Sequence, residues 1–132
     1  MTLNKTEKEV QNYIKGRNKS FKNAFEGLFY AIRTQKNVMI HLAITVLVIS
    51  VSFIFKLSQM EWIAVLVAIA LVWIAELINT ALETIVDIIC PEIHPLAKKA
   101  KDLSAAFVLI AAILAFCIGC IIFIPKLLSF IR

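Results

Sequence analysis

Glycine, proline and cysteine each occur only three times in 132 residues, and nine acidic residues stand against fourteen lysines and arginines. Gly16, Gly27 and Gly119 are too widely separated for a GxxxxGK[ST] phosphate loop or a GxGxxG turn. A bound nucleotide would therefore be held by side chains and metal rather than by a glycine-rich backbone cradle. Three cysteines give no disulfide framework. Cys117 and Cys120 form a CxxC inside an apolar run, without the polar neighbours that redox or zinc chemistry needs, and all three cysteines are expected to be packing residues. No apolar stretch with a small-residue cleavage site precedes residue 38, so a secretory signal is not expected. Internal repeats and low-complexity segments are also missing.

What the chain has in surplus is apolar surface: 61% hydrophobic residues and a mean hydropathy of +0.86, far above a soluble globular domain. Three apolar runs, 38–55, 62–89 and 103–124, are long enough to matter. A membrane span needs about 20 residues at about 1.5 Å each, so the first run is slightly short, the third fits, and the second overshoots by roughly a turn or two. The predicted fold is an all-α membrane protein with spans over about 38–56, 62–89 and 102–125.

The net charge of +5 reads first as topology. Eight of the fourteen cationic side chains, among them Arg17, precede the first span; Lys98, Lys99 and Lys101 lie between the second and third; only Lys56, Lys126 and Arg132 fall elsewhere. The positive-inside rule puts the N-terminus and the 90–101 connection in the cytoplasm and the C-terminus outside, in a multi-pass membrane protein. Nucleic-acid binding is not expected, because the aromatic residues are taken up by the spans and by the helix ahead of them.

Residues 1–18 read as a mobile polar arm. From Phe21 a stripe of Phe21, Ala24, Phe25, Leu28, Phe29 and Ile32 describes an amphipathic helix, lying either on the membrane surface or against the ends of the spans. Trp62 is placed to anchor the second span at the interface. Pro91 and Pro95 should break the chain between Cys90 and Leu96. On the third span Ala105, Ala112, Ala115 and Gly119 share one face, a helix-contact stripe.

The second run carries the chemistry. Glu76, Asn79, Glu83 and Asp87 fall near 0°, 300°, 340° and 20° at about 100° per residue, one polar line on one face, while Ile74, Ile78, Ala81 and Ile85 point elsewhere. Intramembrane carboxylates cost several kcal/mol each and repel one another, so they need a partner. A magnesium ion with oxygen ligands and substrate phosphates would meet that need; ion pairs with lysines of the 90–101 connection are the plainer alternative. If the span begins at Trp62, Glu83 lies at the cytoplasmic boundary, Asp87 just above it, and Glu76 roughly 9 Å below. Across the connection stand His94, Lys98, Lys101 and Asp102. Lysines there can meet phosphate as point charges, and Asp102 is expected to cap the third helix.

These residues resemble the small prokaryotic diacylglycerol kinases, particularly the Gram-positive branch associated with undecaprenol kinase activity. The matching stretches are Glu76-Leu-Ile-Asn-Thr-Ala-Leu-Glu83, Val86-Asp87, His94-Pro95-Leu96-Ala97-Lys98 and Ala100-Lys101-Asp102. Phe25, Gly27-Leu28, Asn37 and His41 extend the match over roughly residues 20–127. The resemblance implies a homotrimer, with three spans and a surface helix per subunit and sites shared between subunits, that uses MgATP to phosphorylate a membrane lipid alcohol; residues 19–132 would form that kinase domain. It implies Glu76 as general base and Glu83 as metal ligand, with Gln35 where the family has a second metal-binding glutamate. It puts Lys101, Asp102, Asp87 and Arg17 on the nucleotide side, with Asn79, His94 and Lys98 as substrate-side or supporting groups. Glutamine keeps a carbonyl oxygen but loses a charge, so a weaker hold on magnesium is expected. Undecaprenol is favoured over diacylglycerol. The rivals are an ion-translocating protein, which would prefer carboxylates reachable from both sides, and a membrane scaffold.

Overall fold

The computed structural model describes residues 5–131, with side chains from residue 16 onward and at Tyr13. The order is α1 (Lys5–Thr34), α2 (Lys36–Ile54), α3 (Gln59–Ile89) and α4 (Pro95–Ile131), with no strand among the described residues. The chain divides into two units, Met1–Thr34 and Gln35–Arg132.

The first unit is the helix α1. It departs from the expected arm, being helical from Lys5. Lysine, glutamate and glutamine are good helix formers, and no proline interrupts them, so an absent apolar period does not forbid a helix. Phe21, Phe25 and Phe29 stand exposed along one stripe, and Lys22 faces Glu26 one turn on at 3.8 Å.

In the second unit all three helices are long and apolar enough to cross a membrane. The chain leaves α2 through a Schellman turn: Lys56 takes φ 49°, its N–H meets the Phe53 carbonyl at 3.1 Å, and the Leu57 N–H meets the Ser52 carbonyl at 3.2 Å. Leu57, next in line, is buried against Val65 and Ile122. α3 opens with a capping box: the Ser58 N–H donates to Glu61 Oε2 at 2.7 Å, and the Ser58 hydroxyl accepts from the Glu61 N–H at 3.5 Å. The other oxygen of Glu61 meets Lys126 of α4 at 3.1 Å, and Trp62 packs on Phe53 with ring centroids 4.9 Å apart. This end of the bundle is therefore closed by polar and aromatic contacts together.

At the other end the chain breaks at residues 90–94, as the prolines require, and Pro95 opens α4. The cap is made by His94, not by Asp102. His94 Nδ1 accepts from the Leu96 N–H at 3.2 Å and its carbonyl from the Lys98 N–H at 3.0 Å. Asp102 lies two turns inside the helix, because α4 begins seven residues ahead of it. α4 also runs on through Pro125 to Ile131.

α3 packs along α4 and, more lightly, against α2. Ala112 and Gly119 of the small-residue stripe, with Val48 of α2 and Val65 and Val72 of α3, border an apolar cavity of about 520 Å³ with His41 and Thr45 in its wall. Cys90, Cys117 and Cys120 are free.

Candidate active site

The polar line of α3 has a burial gradient. Glu76 is 2% exposed and Asn79 5%, Glu83 is half-buried, and Asp87 is open to solvent. On the other faces Ile74, Ile78 and Ile85 are about half exposed, as lipid-facing side chains should be.

Each member of the line meets a different neighbour. His41 Nε2 of α2 lies 3.9 Å from Glu76 Oε2, an oxygen without any hydrogen-bond partner among the described residues. His41 is held from behind: the Thr45 hydroxyl donates to its backbone carbonyl at 2.7 Å and accepts from Trp73 Nε1 at 3.0 Å, joining α2 to α3 inside the apolar layer. Asn79 Oδ1 accepts from the Ser104 hydroxyl of α4 at 2.7 Å, and that hydroxyl also lies 2.9 Å from the Lys101 carbonyl. Ser104 is 1% exposed. Replacing it with alanine strands a buried amide oxygen, a loss of about 1–3 kcal/mol. Ser104→Ala is therefore expected to lower the thermal unfolding midpoint in detergent, checked by circular dichroism.

Toward the end of α3 the groups pair as ions. Lys101 Nζ meets Asp87 Oδ1 at 2.6 Å, and Lys98 pairs with Asp102 one turn on. Lys101 lies ahead of the apolar run of α4. The hydrogen bond to Asp87 is the main reason its ammonium is held above the ordinary lysine range; the charges of Asp87 and Glu83 add to this and desolvation opposes it. The alternative of structural ion pairs thus holds for Asp87. Glu76 and Glu83 make no contact with a lysine among the described residues.

Gln35 precedes α2, half-buried, and makes no side-chain capping bond. His94 is spent on the cap. Arg17 belongs to the first unit, where its guanidinium donates to the Tyr13 hydroxyl at 3.2 Å. Among the described residues no three His, Cys, Asp or Glu side chains come close enough to hold a metal by themselves. Glu83, half-buried, and the amide of Gln35 offer the hard oxygen donors that magnesium takes. Sequence reasoning overlooked His41 as a partner of Glu76, and Ser104, Thr45 and Trp73 altogether. The only signals for them were polar atoms inside apolar runs.

Residues 22–123 match the family model for prokaryotic diacylglycerol kinase. The chain is 38% identical over 120 residues to an undecaprenol kinase of Bacillus subtilis, covering 91% of this chain and 98% of that one. It is 41% identical over 111 residues to a diacylglycerol kinase of Synechocystis sp., covering 83% of this chain and 63% of that one. The matched span takes in α2, α3 and the polar line with its neighbours, so the arrangement just described and the similarity rest on the same residues, and the chain belongs to the prokaryotic diacylglycerol kinase family.

Proposed function

We propose that the protein is an integral membrane lipid kinase that transfers the ATP γ-phosphate to a lipid alcohol, undecaprenol, at the cytoplasmic face of the inner membrane. One observation carries the reading. A single helix face runs from a buried carboxylate inside the apolar run to the Asp87–Lys101 pair, whose carboxylate is open to solvent, and a kinase joining a membrane-bound acceptor to a soluble donor needs both environments within a few turns. The name and near-complete coverage of the Bacillus relative favour undecaprenol, and the apolar cavity that ends at His41 offers room for a long tail.

In this reading Glu76 accepts the proton of the lipid hydroxyl as its oxygen attacks the γ-phosphorus. Asn79, held by Ser104, keeps the hydroxyl in line, and Lys101 and Lys98 exchange Asp87 and Asp102 for phosphate oxygens. Arg17 is assigned to the nucleotide side as well, in a homotrimer whose sites are shared between neighbouring subunits. The residues that would hold magnesium are Glu83 and Gln35, and the ion when bound neutralises charge on the transferring phosphoryl group. Positioning and charge neutralisation account for most of the catalysis in such transfers.

The test is transfer of labelled phosphate from ATP to undecaprenol and to diacylglycerol in mixed micelles. Transfer to undecaprenol alone supports the reading, transfer to diacylglycerol alone reassigns the lipid, and transfer to neither removes the kinase function. A second measurement concerns the ligand set. Gln35→Glu is expected to tighten binding of the divalent ion several-fold, read by manganese paramagnetic resonance titration, and to lower the magnesium concentration needed for half-maximal transfer. Unchanged titrations would place Gln35 away from the ion.

A further inference from the structure

Glu76 is a general base in the reading above only while it is ionised, and its surroundings work against ionisation. It is 2% exposed, its Oε2 has no hydrogen-bond partner among the described residues, and it lies on a helix long and apolar enough to cross a membrane. A buried charge without a partner takes up a proton. On α3 itself the nearest charged group along the helix is Glu83, two turns on, and its charge is of the same sign. From α4 the nearest cation, Lys101, is directed to Asp87, and Ser104 is directed to Asn79. α2 presents one group able to carry positive charge to Glu76, the His41 imidazole, with Nε2 3.9 Å from the lone oxygen and its side chain 18% exposed.

We propose that His41 is a positioning residue for the phosphoryl transfer: as an imidazolium it pairs with Glu76 across the α2–α3 contact and keeps the carboxylate charged and aimed for the lipid hydroxyl. The Thr45–Trp73 hydrogen bond one turn further along α2 fixes the backbone that carries the imidazole, so the two contacts together set the rotation of α2 against α3. No bond is made or broken by His41; the proton of the lipid hydroxyl goes to Glu76, and the attacking oxygen gains the phosphorus that the ATP bridging oxygen loses. The inference deepens the role given to Glu76 and rests on it for its kinetic part.

A spectroscopic test stands apart from turnover. The infrared difference between the native protein and Glu76→Gln at neutral pH should contain no protonated-carboxyl band, whereas the same difference taken in a His41→Gln background should contain one that shifts in heavy water. In His41→Lys, where the cation is restored, the band should be lost again. Kinetically, His41→Gln should lower kcat by about tenfold or more with KM for ATP unchanged, since only the base is affected. His41→Lys, which restores a cation at the same place, should recover part of kcat. A merely structural role neither moves the band nor gives that rescue.

A protonated Glu76 band in the native protein, no band in the His41→Gln background, or a native kcat in His41→Gln each overturns the proposal. The first of these requires no substitution at position 41, so a His41 variant that fails to fold does not shelter the idea. If the native protein phosphorylates neither lipid, the kinase reading falls, while the infrared comparison still decides whether His41 keeps Glu76 charged.

Discussion

Glu76→Gln is expected to reduce phosphoryl transfer by roughly 10² or more while leaving the protein folded. Glutamine has nearly the same volume and keeps the carbonyl oxygen, so packing against α2 is preserved and only the proton acceptor is lost. The site is an exacting one for the comparison, because Glu76 is 2% exposed and water cannot easily replace it as base. The amide removes the desolvation cost of a buried charge and at the same time the pairing with His41 at 3.9 Å, two effects of opposite sign, so the unfolding midpoint should stay near that of the native protein. The measurement is initial transfer rate at saturating lipid and ATP alongside thermal unfolding in the same detergent. Native rates in the folded variant would remove Glu76 from the mechanism.

Lys101→Ala is expected to raise KM for ATP by about one to two orders of magnitude and to leave KM for the lipid nearly unchanged. A charged hydrogen bond to phosphate contributes roughly 1.5–3 kcal/mol. The structure adds a second loss. Lys101 lies 2.6 Å from Asp87, so its removal leaves an exposed carboxylate facing the incoming triphosphate. Part of the defect is thus repulsion by Asp87, and Lys101→Ala with Asp87→Asn should recover some of the ATP affinity that the single change loses. A lipid-side defect, or a double variant no better than the single one, would take Lys101 off the phosphates. Both steady-state constants must be measured, since a fall in kcat alone would speak for a different role.

The polar line of α3 was readable because it depends on one helix only: a spacing of 0, 3, 7 and 11 lands on one face whatever the helix packs against. The burial gradient along it was readable too, since an apolar run longer than a bilayer must emerge somewhere. What crosses between helices was not. His41 facing Glu76, and Ser104 facing Asn79, depend on the rotation of α2 and α4 about their own axes, which hydropathy does not report. Asp102 was misplaced as a cap because the start of α4 was set where the apolar run begins, whereas proline at the first helical position and the His94 side chain start it seven residues earlier. The segment from Lys5 was read as an arm because it lacks an apolar period, yet period governs what a helix packs against and propensity governs whether it forms.

α3 has 31 residues and so measures about 46 Å, against about 30 Å of hydrocarbon. Its first end is pinned to α4 through Glu61 and Lys126, and its first turn is fixed by the Ser58 box. A rod fastened at one end acts as a depth gauge at the other. The height at which Glu76 sits beneath the headgroups at the far end is then set by its distance along the rod from Ser58, and not by any contact near it. Thickening the bilayer draws lipid hydroxyls along α3 away from Ser58, toward Glu83, while Glu76 stays at its mark. Membrane thickness thereby becomes a determinant of which alcohols come level with Glu76, a form of selection built into helix length.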